Sequence, residues 1–229
     1  MNISLFLPNW FSLISNILKR SFFERDTCIV AKELVGKCLV RKLQREEKIL
    51  KLSGIIVETE AYGYIDDEAS HAFIGLTKRN SVMFGRGGFV YIYFTYGNHY
   101  CFNISAHGPA MSAGAILIRA IEPVNGIEQM KKFRNKNELL NLASGPGKLT
   151  QAFSINAKHN GNDVTNYNSD IYLEENQSQA SIVICTKRIG IRKDIERYWR
   201  FLLAEKERNS IYINKYVSKK KENQDYKIC

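Results

Sequence analysis

The sequence predicts an α+β fold, a single mixed domain around a curved, mostly antiparallel sheet with helices packed around it. Two observations lead to this class. Runs of β-branched and aromatic residues dominate the first half of the 229-residue chain, and short polar or glycine-containing turns separate them, as in hairpins. Helical segments are short and scattered, and no linker rich in Pro, Gly or Ser divides the chain.

A helix and two strands come first. Asp26 or Thr27 is a typical N-cap and Gly36 a typical helix end, so a helix is predicted between them. Residues 37–43 and 49–60 have the composition of two strands joined by a polar turn. The glycine-rich stretch that follows predicts a long, partly structured loop, and loops of that length are often functional.

The next strands are predicted at 89–96 and 100–106, joined by a tight turn at Gly97-Asn98, and at 114–121. Pro123 is expected to open a helix that runs through Phe133.

The last third of the chain predicts less regular structure. A short helix follows a Ser-Gly-Pro-Gly turn at 144–147, and the polar residues 156–180 are expected to form a surface excursion. Two late strands are predicted at 182–186 and 198–203.

The termini are expected to lie outside the domain, which we place at residues 21–205. Residues 1–20 form an N-terminal extension that is rich in apolar residues. It is too short, and contains too many polar residues, to cross a bilayer. Ile14, Ile17 and Leu18 are expected to form one face of a short helix on the core. Residues 206–229 form a basic tail that is expected to fray.

The chain is strongly basic. Its net charge is +10, and residues 187–229 carry 13 Lys/Arg against 6 Asp/Glu, so +7 of that charge lies in the last fifth. Such a surface indicates a polyanionic partner, although charge alone does not separate DNA, RNA and anionic membrane, and basic tails also serve solubility.

Five widely spaced cysteines contain no C-x-x-C pair. This pattern is typical of a reduced, intracellular protein and argues against a disulfide scaffold or a zinc finger.

Two glutamates end the second strand. Glu58 and Glu60 lie two residues apart, so both point to the same face. Acidic residues and a histidine follow in the loop: Asp66, Asp67, Glu68 and His71. This cluster has three interpretations: a solvated acidic loop, a metal site, or one carboxylate that activates water. The metal site is disfavoured because no second histidine stands at ligand spacing.

Three tyrosines lie on the strand at 89–96. Tyr91 and Tyr93 share a face, and Tyr96 lies on the other at the tip of the turn. Aromatic strands are usually core, but exposed tyrosines on a basic protein are better explained by stacking on bases. A rigid aromatic at a turn tip can wedge into a duplex and help to expel a nucleotide.

Two polar residues interrupt otherwise apolar strands. Asn103 must find hydrogen-bond partners, either structural or on the edge of a base. Arg119 is expected to pair with a carboxylate or a phosphate. With the basic surface and the tyrosines, these residues indicate an enzyme that works on a nucleic-acid base.

Seven ordered stretches resemble the alkyladenine (3-methyladenine) DNA glycosylase family. The resemblance runs from about residue 21 to residue 203. The seven stretches are specific together, although each alone would be weak: GIIVETEAY at 54–62, ASH at 69–71, TKRNSVMF at 77–84, YIYFTYG at 91–97, LIRAIEP at 117–123, SGPGKL at 144–149 and RIGI at 188–191.

The resemblance implies a monofunctional enzyme of base excision repair. It implies a cytoplasmic or, in a eukaryote, nuclear monomer without metal, cofactor, membrane association or obligate protein partner. Its partner would be double-stranded DNA that contains damaged purines. Such an enzyme flips an alkylated or deaminated purine out of the duplex and hydrolyses the N-glycosidic bond with water.

The resemblance also implies roles for individual residues. Glu60 matches the carboxylate that activates water, and Arg119 the cation beside it. Tyr96 matches the residue inserted into the gap that the flipped nucleotide leaves.

The base-binding residues are implied in the same way. Tyr62, His71 and Tyr93 match the walls that sandwich the flipped base, and Asn103 the residue that clashes with the exocyclic amine of guanine. An alkylated purine carries positive charge, so electron-rich aromatic walls would favour it over a normal base.

Two alternatives stay open at this point. One is a non-catalytic nucleic-acid-binding module on the same fold. The other is a metal-dependent nuclease that uses Glu58, Glu60, Asp66 and His71.

Overall fold

The computed structural model describes residues 16–95, 97, 99–176, 182–205 and 225–229. In this part of the chain, four α-helices surround an open sheet of nine strands, and every strand pairing is antiparallel. The predicted α+β class is therefore confirmed.

The helices are short and lie around the sheet. The α-helices are α1 Arg20–Phe23, α2 Thr27–Leu34, α3 Ile127–Arg134 and α4 Pro146–Ala152, and the 3₁₀ turns are Ser81–Phe84, Leu139–Asn141 and Ala157–His159. The N-cap prediction for α2 is confirmed, because the Asp26 carboxylate accepts from the amides of Cys28 and Ile29 at 2.9 and 3.0 Å.

Seven strands form a continuous path in the order β3-β4-β5-β2-β8-β7-β9, and β1 joins β2 to β6. The strands are β1 Cys38–Arg45, β2 Lys48–Tyr62, β3 Val90–Thr95, β4 His99–Ser105, β5 Ala115–Asn125, β6 Ile171–Glu174, β7 Ile182–Thr186, β8 Arg200–Glu205 and β9 Tyr226–Ile228.

The 15-residue strand β2 organises the sheet. It pairs with β5 along one edge, and along the other edge first with β1 and then, at residues 58–60, with β8. Residues 52–61 are all buried, since both faces of this stretch are covered. The acidic end of β2 therefore lies inside the protein between two strands from distant parts of the sequence.

The prediction that the helix starts at Pro123 is wrong. Pro123 lies inside β5, and α3 begins only after Gly126, whose φ of +75° turns the chain. Proline is tolerated in this strand because it faces Gly54 at a shift in the β2–β5 register, where it need not donate to a regular ladder.

Gly54 is required by the close approach of β5. A Cβ at this position would lie 2.3 Å from Cγ2 of Ile121 and 2.4 Å from the carbonyl oxygen of Glu122. A backbone oxygen cannot rotate away, so the two central strands would have to separate.

We expect Gly54→Ala to lower the free energy of unfolding by about 1–3 kcal/mol, the usual cost of overpacking. Urea unfolding measures this, with Gly85→Ala as the matched control. Gly85 has an ordinary φ of −84°, and a Cβ there would meet nothing nearer than 3.5 Å. Equal stabilities of the two variants would contradict the steric argument.

The polar stretch 156–180 is more than the expected surface excursion. It contains the buried strand β6, which pairs with β1, and Leu173 accepts a hydrogen bond from the amide of Leu18 at 2.9 Å. Ile17 forms an isolated antiparallel β-bridge with Glu174 rather than the expected helix. The remaining residues of the N-terminal prediction, 1–15, lie outside the described residues.

The C-terminal end adds a strand to the sheet. Within the predicted tail, β9 pairs with β7, and a disulfide joins Cys185 to Cys229 with a Cα–Cα distance of 5.7 Å. The expectation that all five cysteines are reduced is wrong for this pair, because strand pairing brings together two residues that are 44 positions apart. Among the described helices, none has the length and apolar character to cross a membrane.

A turn at residues 157–162 follows the outer edge of β3. Asn162 accepts from the amide of Val90 at 2.8 Å, and the Asn160 side chain accepts from the amide of Ile92 at 2.9 Å. The turn therefore holds the edge of the strand that carries Tyr91 and Tyr93.

The buried His159 in this turn is neutral. Its Nε2 lies 3.0 Å from Nη2 of Arg41, which can only donate, so the imidazole accepts there. Its Nδ1 lies 3.0 Å from the amide nitrogen and 3.1 Å from the carbonyl oxygen of Asn156. Burial, together with Arg41, lowers the pKa of His159 below its ordinary value.

We expect this histidine to destabilise the fold at low pH. Below about pH 6.5 the histidine of the unfolded chain binds a proton, whereas native His159 resists protonation. The contribution of His159 to the free energy of unfolding is therefore fully present above pH 6.5 and is lost as pH falls through the native pKa. Urea unfolding at pH 7 and pH 5 should show a loss on the order of 1 kcal/mol that is smaller in His159→Gln. An equal loss in both proteins would refute this assignment. Asp170, 3.7 Å away, limits the loss.

Candidate active site

A cavity of about 560 Å³ opens beside the end of β2. It collects side chains from β2, β3, β4, β5 and the loop after β2. Five residues to which the family resemblance assigns a role line it: Tyr62, His71, Tyr93, Asn103 and Arg119.

Glu60 is fully buried and accepts three hydrogen bonds, all from residues that line this cavity. Its Oε2 accepts from the hydroxyl of Tyr62 at 2.8 Å and from Nη1 of Arg119 at 3.1 Å, and its Oε1 accepts from the amide of Ile189 at 2.9 Å. Among the described residues Oε1 has a single donor, so this oxygen keeps a lone pair for a further donor.

A buried network of charges fixes Arg119. Its Nε donates to Oε1 of Glu58 at 2.9 Å, and Nε of Arg200 donates to the same oxygen at 2.6 Å. Burial alone would lower the pKa of Arg119, but Glu60 and Glu58 raise it well above the ordinary value, so this cation is permanent. Both glutamates contact Arg119, which confirms that they share a face of β2.

Tyr62 reaches from the cavity to the carboxylate. Burial and the adjacent Glu60 raise the pKa of Tyr62 well above its ordinary value, so its hydroxyl remains a hydrogen-bond donor. Cζ of Arg188 lies 4.8 Å from the centre of the Tyr62 ring.

His71 and Tyr93 form one aromatic surface. Their ring centroids are 4.1 Å apart at an interplanar angle of 33°, so no third ring fits between them. His71 is partly open to solvent, yet packing against the tyrosines and the positive charge of Arg79 lower its pKa below the ordinary value. The imidazole is therefore neutral at pH 7.

Tyr91 is not one of the expected exposed stacking residues. It is only 2% exposed, and its hydroxyl lies 3.1 Å from Nδ1 of His71. Burial raises the pKa of Tyr91 to about 12. Its ring belongs to a small core beneath the cavity, while Phe94 on the same strand is 45% exposed.

Asn103 has a fixed orientation. Its Nδ2 donates to the carbonyl oxygens of Tyr91 and Cys101 at 3.0 and 3.4 Å, which employs both amide protons. The structural interpretation of this buried asparagine is therefore correct, and the side chain also lines the cavity.

Tyr96 lies outside the described residues, so its insertion into DNA stays a prediction. The neighbouring Gly97 has a φ of +71°, in keeping with the predicted tight turn.

A buried ion pair that the sequence analysis did not predict supports this site. Arg188 donates from both terminal nitrogens to the carboxylate of Asp67 at 2.7 Å, and the two side chains are fully buried. Asp67 also accepts from the amides of Gly63 and Ala69, and Arg188 donates to the carbonyl oxygen of Ala61. This pair fixes the loop that follows Tyr62.

The Asp67–Arg188 ion pair is also connected to Glu60, the candidate general base. Ile189, the residue after Arg188, supplies the amide that binds Glu60. The only sequence signal for these two residues is the RIGI stretch of the family resemblance.

The acidic loop does not gather its carboxylates at one point. Asp66 pairs with Arg197 at 3.1 Å, and Glu68 pairs with Lys193 at 2.7 Å. Within the described ranges, no three His, Cys, Asp or Glu side chains come together as a metal-binding group.

The sequence has close relatives along most of its length. The profile of the methylpurine-DNA glycosylase (MPG) family matches residues 21–207. A protein of Prosthecochloris aestuarii is 45% identical over 201 residues, 87% of this chain and 90% of the relative. A protein of Carboxydothermus hydrogenoformans is 45% identical over 205 residues, 89% of this chain and all of the relative.

A third relative, from Francisella tularensis, is 44% identical over 196 residues, which is 85% of this chain and 94% of the relative. All three bear the name "Putative 3-methyladenine DNA glycosylase". Because the family profile covers more than half of the chain and the identities extend over most of both partners, the chain belongs to the methylpurine-DNA glycosylase family.

Proposed function

We propose that this protein is a 3-methyladenine DNA glycosylase that flips an alkylated or deaminated purine out of duplex DNA and hydrolyses its N-glycosidic bond. The observation that carries the proposal is the carboxylate of Glu60, held by donors from three residues that line a cavity with aromatic walls. The family membership and the basic charge support a damaged DNA substrate.

In the proposed reaction, Oε1 of Glu60 accepts a proton from water through its remaining lone pair. The water oxygen forms a bond to C1′ of the deoxyribose, and the electron pair of the glycosidic bond leaves with the purine. An alkylated purine departs as a neutral molecule, so one general base is sufficient for it. The products are the free base and an abasic site.

Arg119 and Tyr62 orient Glu60, the general base. Both bind Oε2 of Glu60, which leaves Oε1 for the water, and Arg119 also places a permanent positive charge beside the reacting groups.

The flipped purine would stack between Tyr62 on one side and the joined rings of His71 and Tyr93 on the other. The side chain of Asn103, fixed by two backbone carbonyls, would clash with the exocyclic amine of guanine. Tyr96 would fill the gap in the duplex. These roles agree with the positions of the described residues around the cavity.

The test is release of free base from methylated duplex DNA in the presence of EDTA. We expect free 3-methyladenine, with strand breaks appearing only after alkali treatment, since the enzyme leaves an abasic site intact. DNA binding without release would favour the non-catalytic module. Strand cleavage without alkali that EDTA abolishes would favour the metal-dependent nuclease.

A further inference from the structure

Arg79 lies against the aromatic surface of the cavity. Its Cζ is 4.2 Å from the centre of the Tyr93 ring, and its Nη2 donates to the carbonyl oxygen of Phe94 at 3.0 Å. The next residue, the buried Asn80, binds the carbonyl oxygens of His71 and Gly75 and fixes the loop from which Arg79 extends. The guanidinium thus has a defined position.

This guanidinium lies outside the cavity. Tyr93 is one of the described residues that line the cavity, and Arg79 is not. A purine stacked on the joined surface of His71 and Tyr93 would therefore have the positive charge of Arg79 behind that surface, with no direct contact.

The charge of Arg79 is not neutralised locally. Among the described residues no carboxylate forms an ion pair with it. Arg188, which lies 4.8 Å from the Tyr62 ring centre, differs in this respect because Asp67 binds it through both terminal nitrogens. Of these two arginines, Arg79 is the one without a counter-charge among the described residues. Its side chain is exposed, so water screens part of its field.

A cation over a ring engages its π electrons, and a second cation on the same wall gains less from them. The two positive charges also repel each other across the ring, at a distance on the order of 8 Å. A neutral purine suffers neither effect.

We infer that Arg79 is a specificity-determining residue, which weakens the preference of the pocket for cationic alkylpurines and so admits neutral purine lesions such as hypoxanthine. The inference rests on the proposed function and adds to it the charge class of the substrate. The lowered pKa of His71, to which Arg79 contributes, agrees with a field that reaches into the pocket.

The test compares single-turnover rates at saturating enzyme for release of 3-methyladenine, cationic in DNA, and hypoxanthine, neutral in DNA. Saturating enzyme removes differences in DNA affinity, and pH 8 keeps His71 neutral. In Arg79→Gln we expect the ratio of the cationic to the neutral rate to rise about 3- to 10-fold.

Two variants serve as controls. Arg79→Lys retains the charge over the ring and should keep the ratio of the wild type. Arg86→Gln removes an exposed arginine that pairs with Glu24 and does not line the cavity, so it tests a general loss of positive surface charge. Arg79→Met provides a second neutral variant if Arg79→Gln does not fold.

An unchanged or lower ratio in the neutral variants would overturn the inference, even if both rates fall, because a phosphate contact or a structural role affects both substrates alike. A wild type that releases 3-methyladenine and no hypoxanthine would also overturn it. A wild type that releases neither base would instead count against the proposed function, and the inference would fall with it.

Discussion

Replacement of Glu60 by glutamine is expected to lower the single-turnover rate of 3-methyladenine release by roughly 10³-fold, within the usual range for loss of a general base. The substitution keeps the shape of the side chain but removes the charge that accepts a proton. An amide also cannot accept from Ile189 on one side and from both Arg119 and Tyr62 on the other, since one of its two ends carries only donors. Binding to methylated duplex DNA should persist, because the cavity walls are unchanged.

Glu58→Gln is the matched control for this loss. It removes the same charge from the same strand face and from the same partner, Arg119. Arg119 and the fully buried Arg200 share Oε1 of Glu58, whereas all three donors to Glu60 belong to residues that line the cavity. We expect a smaller fall in rate than for Glu60→Gln. Equal losses in the two variants would assign the effect to the buried charge network instead of a general base at Glu60. A Glu60→Gln rate within tenfold of the wild-type rate would contradict the proposed mechanism.

The largest effect on stability is expected from Asp67→Asn. The variant leaves Arg188 buried without a counter-charge, and breaking a buried ion pair from one side typically costs about 3–5 kcal/mol. Denaturant unfolding monitored by tryptophan fluorescence measures the change.

Asp66→Asn is the control for this prediction. Asp66 is the preceding residue in the same loop, but it is well exposed, and its bond to Arg197 is a surface ion pair. Such pairs contribute about 0–1 kcal/mol. If the two asparagine variants lose equal stability, the Asp67–Arg188 pair does not hold the loop as the contacts indicate.

The parts of the site that could be predicted follow from local patterns. The two-residue spacing of Glu58 and Glu60 determines that they share a face of β2, whatever lies opposite. An arginine in an apolar strand needs a carboxylate, so the pairing of Arg119 was predictable in kind. The capping by Asp26 depends only on the three residues that follow it.

The errors come from contacts between distant segments. Asp67 has the sequence context of a solvated acidic loop, and only the arrival of Arg188, 121 residues later, makes it a buried ion pair. Tyr91 has the alternation of a half-exposed strand, but the loop that carries His71 covers it. Pro123 is a frequent first residue of helices, and its place opposite Gly54 depends on a register that neither strand reveals alone.

The strand order around β2 has a consequence for the order of events during synthesis. Arg119, Ile189 and Arg200, which bind the two glutamates, stand 59 to 142 residues further along the chain than the carboxylates that they bind. A nascent chain that has formed only the hairpin of β3 and β4 already possesses much of the aromatic wall. It lacks the amide that orients Glu60 until Ile189 has emerged. An incomplete molecule could thus encounter DNA without being able to cut a base from it.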